Sequence, residues 1–251
     1  MSIKKAWISS AHRGFVEGDL KENCLAAYYN ASLRGADMIE TDARLSSDGV
    51  LIVNHDDTVR GFDENGNAVS LLVAEHTAGE LCAVILSKDE KWGVQRVPTL
   101  EAVLNLAYHT GMDVNIDLKN GLAIAEAVAK TVLKCGMIGR VVYALNGSGL
   151  EGMNAVLAID PDARFIDRGD RFAELVKDYP ERGKRCFCYT WDSCREEIEV
   201  IRNNGCLLAL ISLDERNFVP AIVQHPDMCE FLHTSDFRAI EKSYLDGVKL
   251  Y

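Results

Sequence analysis

Strand-like and helix-like segments alternate along most of this chain, and that alternation restricts the fold more than any other feature. The apolar run at residues 113–118 is followed by an Ala- and Val-rich segment at 121–135, and the pattern recurs toward the C-terminus. Counting gives about eight strands, each followed by a helix. This predicts an α/β fold, a (β/α)8 TIM barrel, with a doubly wound open sheet as the alternative. A barrel of this kind needs about 250 residues, and the chain has 251.

One predicted strand, at residues 36–42, ends on two carboxylates. It follows a helix predicted at 23–33, for which Asn23 is the candidate N-cap and Gly35 the stop signal. Glu40 and Asp42 are two residues apart, so an extended chain directs both side chains to one face. Converging acids repel each other and lose hydration unless a cation or hydrogen-bond donors neutralise them. The pair is therefore half of a hard-cation site or, alternatively, a strand end that emerges into water.

The alternation fails between residues 57 and 97. This stretch is polar and is punctuated by Gly61, Gly66 and Gly79. A structureless loop of such length is uncommon inside a compact domain. We therefore expect an inserted subdomain or lid with small elements of its own, within a barrel domain that covers residues 1–251.

Composition excludes several classes of partner. The net charge of −11 and the pI near 5.0 disfavour a general nucleic-acid binder and stable association with an anionic membrane. No apolar run reaches the ~18 residues that span a bilayer, and no signal peptide is expected. The eight cysteines are scattered, which favours reduced thiols in a cytoplasmic protein.

In a parallel barrel the functional site lies at the C-terminal ends of the strands. The predicted strand ends gather three carboxylates, two histidines, an arginine and a lysine: Glu40, Asp42, Asp117, His12, His55, Arg13 and Lys119. Later strand ends add Tyr143, Arg168, Trp191 and His233. The three carboxylates would supply oxygen ligands to Mg²⁺ or Ca²⁺.

The basic side chains complete a coherent chemistry. Arg13 and Lys119 would hold phosphate oxygens, the first through its fork and the second as a point charge. His12 and His55 would act as general base and general acid, because imidazole titrates near neutrality.

Each residue also has a plainer interpretation. A lone histidine at a strand end is usually hydrogen-bonded or solvated. Arg13 alternatively pairs with Glu17 or Asp19, Lys119 is a solvated charge, and Asp117 caps the next helix. Their succession at neighbouring strand ends favours the functional interpretation.

An ordered series of motifs resembles the glycerophosphodiester phosphodiesterase family of metal-dependent (β/α)8 barrels. The motifs are His12-Arg13-Gly14, Glu22-Asn23-Cys24, Glu40-Thr41-Asp42, Val53-Asn54-His55-Asp56, Pro98-Thr99-Leu100-Glu101, Asn115-Ile116-Asp117-Leu118-Lys119 and Thr190-Trp191. The resemblance implies cleavage of a glycerophosphodiester to glycerol 3-phosphate and an alcohol, and it gives the acids, histidines and basic residues the roles set out above. It also implies that Trp191 packs on the glycerol or the leaving group.

Departures from the family pattern keep other functions open. The family often has Glu where this chain has Asp117, and the sphingomyelinase D enzymes on the same barrel share an Asp-x-Lys arrangement. A sphingomyelinase D-like enzyme, a lyase that stops at a cyclic phosphate and a non-catalytic barrel that binds a phosphorylated ligand are therefore the alternatives. The nucleophile is either water or a neighbouring hydroxyl of the substrate.

Overall fold

The computed structural model describes residues 8–168, the strands at 186–190, 207–211 and 231–234, and residues 203 and 206. Its strands are β1 (Ile8–Ala11), β2 (Met38–Leu45), β3 (Leu51–Val53), β4 (Thr58–Phe62), β5 (Ala68–Leu72), β6 (Ile85–Asp89), β7 (Gly93–Arg96), β8 (Asp113–Leu118), β9 (Val141–Ala144), β10 (Arg164–Arg168), β11 (Cys186–Thr190), β12 (Leu207–Ile211) and β13 (Phe231–Thr234). The helices are α1 (Leu25–Leu33), α2 (Ala78–Ala83), α3 (Leu100–Thr110), α4 (Leu122–Lys134) and α5 (Gly149–Leu157), with a short 3-10 turn at Val73–Glu75.

Eight parallel strands form a closed ring. Their order is β1-β13-β12-β11-β10-β9-β8-β2, and β2 then pairs with β1 through Ser10 opposite Met38 and Ala11 opposite Ile39. The predicted α/β TIM barrel is therefore confirmed. The helices predicted at 170–179, 218–223 and 240–248, and the one at 195–203 apart from Asn203, lie outside the described residues.

Two predictions about strands need correction. β2 does not stop at its acids but runs on to Leu45, because residues 43–45 pair with β3 in an antiparallel hairpin. The run at 50–53 is accordingly a strand, but it lies outside the barrel ring. The hairpin turn contains Gly49 at a φ of 78°, a conformation that favours glycine.

Residues 58–96 form a separate antiparallel sheet of order β5-β4-β6-β7, with the 3-10 turn and α2 on the same stretch. This sheet has its own apolar cluster, which includes Val59, Leu81 and Val84. A capping box between Thr77 and Glu80 begins α2.

The barrel carries apolar layers on both faces of its strands. Outside, Val128 and Val132 of α4 pack in the cluster that contains Ile116 of β8. Inside, Met38, Val142 and Ile166 form a second cluster across the ring. Met38 precedes Glu40 by two residues on the same face of β2. The acids therefore lie next to this inner apolar cluster, here called the apolar floor of the site.

Two of the three residues predicted to begin or end helices do so in the structure. Thr99 caps α3 as predicted, because its hydroxyl accepts a hydrogen bond from the Ala102 amide at 3.2 Å. Gly35, at a φ of 81°, follows α1 as predicted. Asn23 is not the N-cap of α1: that position belongs to Cys24, and Asn23 stands before it at a φ of 55°.

Among the residues described, no helix is both long and apolar enough to cross a membrane. Four cysteines there are free thiols: Cys24, Cys82, Cys135 and Cys206.

Gly14→Ala is expected to destabilise the fold by about 3 kcal/mol. Gly14 has a φ of 88°, and a Cβ there would lie 2.7 Å from the carbonyl carbon of Ala27. Gly49→Ala is the matched control, since it has a similar φ with nothing within 4 Å, and it should cost only about 1–2 kcal/mol. Urea unfolding measures both, and equal costs would contradict the close packing of this loop on α1.

Candidate active site

Three carboxylates converge at the C-terminal ends of β2 and β8. Asp42 and Asp117 are register partners on these parallel strands, which places them side by side at about 4.8 Å between strands. Glu40 lies on the same face of β2, two residues earlier. Ligand oxygens of the three side chains all lie within 4.8 Å of one another. Glu40 is 5% exposed and Asp42 is fully buried.

Burial makes this cluster electrostatically costly. It raises the pKa of Glu40 well above its usual value, and the nearby charges of Asp42 and Asp117 raise it further. Burial also raises the pKa of Asp117, although the Lys119 ammonium opposes that shift. One oxygen of Glu40 accepts a hydrogen bond from the backbone N–H of Arg13 at 3.0 Å. The cluster therefore depends on positive charge and on hydrogen-bond donors around it.

Lys119 lies directly on two of the acids. Its Nζ is 2.9 Å from Asp42 Oδ1 and 2.6 Å from Asp117 Oδ2, and its side chain is only 14% exposed. The interpretation of Lys119 as a solvated charge is thus wrong. Asp117 does not cap α4 either, since that position is held by Gly121 and the second oxygen of Asp117 accepts from Asn146.

Arg13 bridges the cluster to the loop that follows β1. Its Nε lies 3.4 Å from Asp42 Oδ2, and its Nη1 donates to Glu22 Oε1 at 2.8 Å. The alternative pairing with Glu17 or Asp19 is therefore wrong, and Glu17 instead pairs with Arg34 at 3.2 Å.

His12 follows β1 directly, one residue beyond the register pair of Ala11 on β1 and Ile39 on β2. Burial, followed by the charge of Arg13, lowers the pKa of His12 to about 4. Asp42 and His55 are close enough for their charges to act on it as well. The imidazole of His12 is consequently neutral at neutral pH, which is the form that accepts a proton.

His55 reaches the same region from the hairpin rather than from a barrel strand. The backbone N–H of Asn54 donates to the carbonyl of Asp42 at 3.1 Å, and this bond ties the end of β3 to β2. His55 Nδ1 lies 2.9 Å from Asp56 Oδ1. Because a carboxylate only accepts, the neutral ring carries its proton on Nδ1 and leaves Nε2 as the acceptor.

The other residues predicted at strand ends are Tyr143, His233, Trp191 and Arg168. Tyr143 is not at the barrel mouth: it is fully buried in the outer layer, where its hydroxyl contacts Asp160 Oδ2 at 3.1 Å. His233 occupies the register position opposite Ser10. Trp191 lies outside the described residues, and so does the side chain of Arg168.

Four residues around the site had no role in it predicted from the sequence. Asp56 orients His55, Asn146 contacts Asp117, and Asn23 and Tyr28 form a hydrogen-bonded chain to Asp42. Asp56 carries a local signal, because it directly follows the histidine. The contacts of Asn146 with Asp117 and of Asn23 with Asp42 join residues 29 and 19 positions apart in the sequence.

The donor set fits a hard divalent cation. Asp42 Oδ1 is buried, and Lys119 is beside it as an ion pair without hydrogen-bond geometry. Asp42 Oδ1 and the carboxylate oxygens of Glu40 and Asp117 are the kind of ligand that Mg²⁺ and Ca²⁺ prefer. The fold and the site thus define a (β/α)8 barrel with a candidate cation centre at the C-terminal ends of β2 and β8.

Comparison with known proteins identifies the family of this chain. Residues 12–145, more than half of the chain, match the model of the glycerophosphoryl diester phosphodiesterase family. The chain belongs to that family.

Curated relatives match the chain in part. It is 34% identical over 126 residues to a glycerophosphodiester phosphodiesterase of Caldanaerobacter subterraneus subsp. tengcongensis, covering 49% of this chain and 50% of that protein. It is 38% identical over 116 residues to one of Bacillus altitudinis, covering 45% of each. The chain spans about half the length of the curated relatives it matches.

Solved structures share the fold over nearly the whole chain. A putative glycerophosphoryl diester phosphodiesterase of Silicibacter pomeroyi superposes with a TM-score of 0.77 at 16% identity, over 98% of this chain and 95% of that one. A phosphodiesterase of Oleispira antarctica, solved in complex with the product sn-glycerol-3-phosphate, gives a TM-score of 0.72 at 17% identity, over 94% and 96%.

Lys119→Met is expected to lower the free energy of unfolding by about 3 kcal/mol at neutral pH, because it leaves the buried Asp42 and the partly buried Asp117 without their cation. Glu40 and Asp117 have raised pKa values and take up protons in the folded state as the pH falls. The difference from the wild type should therefore shrink in acid.

Lys130→Met is the matched control. Its ion pair with Glu126 is about two-thirds exposed, so the change should be close to neutral. Urea unfolding at neutral and acid pH measures both variants. A Lys119→Met cost that stays constant with pH would contradict the account of the cluster.

Proposed function

We propose that the protein is a divalent-metal-dependent phosphodiesterase that cleaves glycerophosphodiesters to glycerol 3-phosphate and an alcohol. The observation that carries the proposal is the cluster of Glu40, Asp42 and Asp117, with ligand oxygens within 4.8 Å, beside Arg13 and Lys119. Membership of the family, the names of its relatives and the product bound to the Oleispira antarctica protein support the choice of substrate.

Charge balance explains why a cation belongs in this mechanism. Three ionised carboxylates outnumber Arg13 and Lys119 by one charge, so the site alone repels an anionic diester. A divalent cation, Mg²⁺ or Ca²⁺, held by the three carboxylates would reverse that sign and withdraw charge from a phosphate oxygen. Arg13 and Lys119 bind the other phosphate oxygens and stabilise the charge that develops on them.

The two histidines move the protons. His12, neutral because its pKa is about 4, takes the proton of the attacking hydroxyl as general base. His55 in its imidazolium form, with Nδ1–H donating to Asp56 Oδ1 at 2.9 Å, gives its Nε2 proton to the leaving alkoxide. The phosphorus–oxygen bond to the alcohol breaks, and with water as nucleophile the product is the monoester.

The leaving group enters beside Lys119 in this proposal. An open cavity of about 650 Å³ is lined by Lys119, Asn120, Gly121, Leu122, Asn146, Gly147 and Ser148. It borders the phosphate-binding lysine, so an alcohol attached to that phosphate would extend into it. Trp191 is proposed to pack on the glycerol or the leaving group, as the family resemblance implies.

Chelation should abolish the release of glycerol 3-phosphate, and Mg²⁺ or Ca²⁺ should restore it. The assay is a product-detected screen of glycerophosphocholine, glycerophosphoethanolamine, glycerophosphoglycerol and glycerophosphoinositol with each ion. Cleavage that persists in excess chelator would overturn metal dependence. Turnover of none of these diesters, together with retained phosphate-ligand binding, would favour a non-catalytic barrel.

Phosphorus NMR of the product separates hydrolysis from the lyase alternative. Direct hydrolysis gives an open monoester from the start. A cyclic phosphate that accumulates as the end product would show that a substrate hydroxyl is the nucleophile and that water does not follow.

Glu40→Gln should weaken divalent-cation binding by about 100-fold or more and leave the fold intact, because it removes a charged ligand from the cluster. Asp160→Asn is the matched control: Asp160 is also fully buried but pairs with Tyr143 outside the site. Calorimetric titration measures the affinity and circular dichroism the fold. Full cation affinity in Glu40→Gln would show that the centre lies elsewhere.

A cytoplasmic location is part of the proposal and is supported by the free thiols of Cys24, Cys82, Cys135 and Cys206. The proposed partner is the small-molecule diester.

A further inference from the structure

Asn23 is joined to the acidic cluster by a buried chain of hydrogen bonds. Its Nδ2 donates to Asp42 Oδ2 at 2.7 Å, and its Oδ1 lies 2.6 Å from the hydroxyl of Tyr28. The Tyr28 hydroxyl is in turn 2.7 Å from Thr41 Oγ1. Asn23 is 5% exposed, and the other three residues are fully buried. Buried polar side chains of this kind need a defined set of partners.

The direction of each bond follows from the inventory of protons. An amide oxygen only accepts, so the single proton of the Tyr28 hydroxyl points to Asn23 Oδ1. The Thr41 hydroxyl must then donate to the Tyr28 oxygen. A flipped amide would place its oxygen against the Asp42 carboxylate with no proton between the two acceptors, so the NH₂ group faces Asp42 and the Tyr28 hydroxyl holds the amide oxygen on the other side.

This arrangement fixes the rotation of the Asp42 carboxylate. Arg13 Nε lies 3.4 Å from Asp42 Oδ2 without hydrogen-bond geometry, so Asn23 gives Oδ2 its hydrogen bond among the described residues. With Oδ2 held, Oδ1 is the oxygen 2.9 Å from Lys119, on the side of Asp117. Without Asn23, Oδ2 would lose this hydrogen bond, and the rotation of the carboxylate would be set by its ion pairs with Lys119 and Arg13.

The backbone conformation of Asn23 directs its side chain to Asp42, and Asn23 does not cap α1. It adopts a φ of 55°, which asparagine tolerates better than most residues, and its N–H donates to the carbonyl of Arg13 at 3.0 Å. The loop after β1 is therefore tied at one residue to both Arg13 and Asp42.

We propose that Asn23 is a positioning residue for the candidate cation site, acting through Asp42, and that Tyr28 holds the oxygen of its amide in place. The inference rests on the proposed function in one respect, because it takes the acidic cluster as the cation site. Partners of this kind, one step removed from the metal, typically change affinity 10- to 100-fold when they are lost.

The test is calorimetric titration of Mg²⁺ and Ca²⁺ into the chelator-treated full chain, without substrate. Asn23→Gly removes the amide and accepts the positive φ without strain, and it should weaken cation binding about 10- to 100-fold. Tyr28→Phe keeps the ring but releases the amide, and it should weaken binding about fivefold.

Asn30→Ala is the matched control. Asn30 is 1% exposed on α1, the helix that carries Tyr28, and its amide donates to the Phe15 carbonyl at 3.3 Å and to Glu17 Oε2 at 3.5 Å, outside the cluster of Glu40, Asp42 and Asp117. This variant should lose stability in urea and retain the cation affinity of the wild type. A purely structural role for Asn23 predicts the same behaviour for both asparagines.

The outcomes separate this inference from the proposed function. If the wild type binds a cation and folded Asn23→Gly binds it within twofold, the positioning role is wrong and the phosphodiesterase proposal stands. If Asn30→Ala weakens cation binding as much as Asn23→Gly does, the positioning role is wrong as well. If the wild type binds neither ion, the metal-dependent function fails, and the inference fails with it.

Discussion

Mutual repulsion among three carboxylates, two of them buried and one partly buried, is the constraint on which the rest of this site depends. Glu40 and Asp42 are almost completely removed from water, and Asp117 is their neighbour across the sheet. Such a cluster persists only where positive charge and hydrogen-bond donors surround it. The fold compensates this repulsion through Lys119 at 2.6 and 2.9 Å and the backbone N–H of Arg13 at 3.0 Å, together with the side-chain amides of Asn23 and Asn146. A divalent cation is the additional charge that suits the same oxygens.

Closure of the barrel gathers these groups from distant parts of the chain. The pairing of β1 with β2 brings the loop after Ala11 over Glu40, and the parallel register of β2 and β8 sets Asp117 beside Asp42. The hairpin formed by β2 and β3 adds His55 from outside the ring. The apolar floor of Met38, Val142 and Ile166 below the acids keeps the dielectric low, which strengthens both the repulsion and its compensation.

Sequence reasoning succeeded where the physics is local. Same-face placement of Glu40 and Asp42 follows from the two-residue period of a strand, and the position of the site follows from the C-terminal rule for parallel barrels. It failed where the deciding partner is remote. Asn23 is a residue type that commonly caps helices, but its amide donates a hydrogen bond to Asp42 on β2. Tyr143 is near a strand end, but it lies in the outer layer, where its hydroxyl contacts Asp160, 17 residues away in the sequence.

The central claim is that these three carboxylates form a divalent-cation site. The most direct measurement is anomalous diffraction from crystals of the full chain grown with Mn²⁺, an ion that takes the same oxygen ligands as Mg²⁺. The account predicts one strong peak about 2.0–2.3 Å from oxygens of Glu40, Asp42 and Asp117. Manganese bound only at other positions, with Lys119 still in contact with both aspartates, would contradict it.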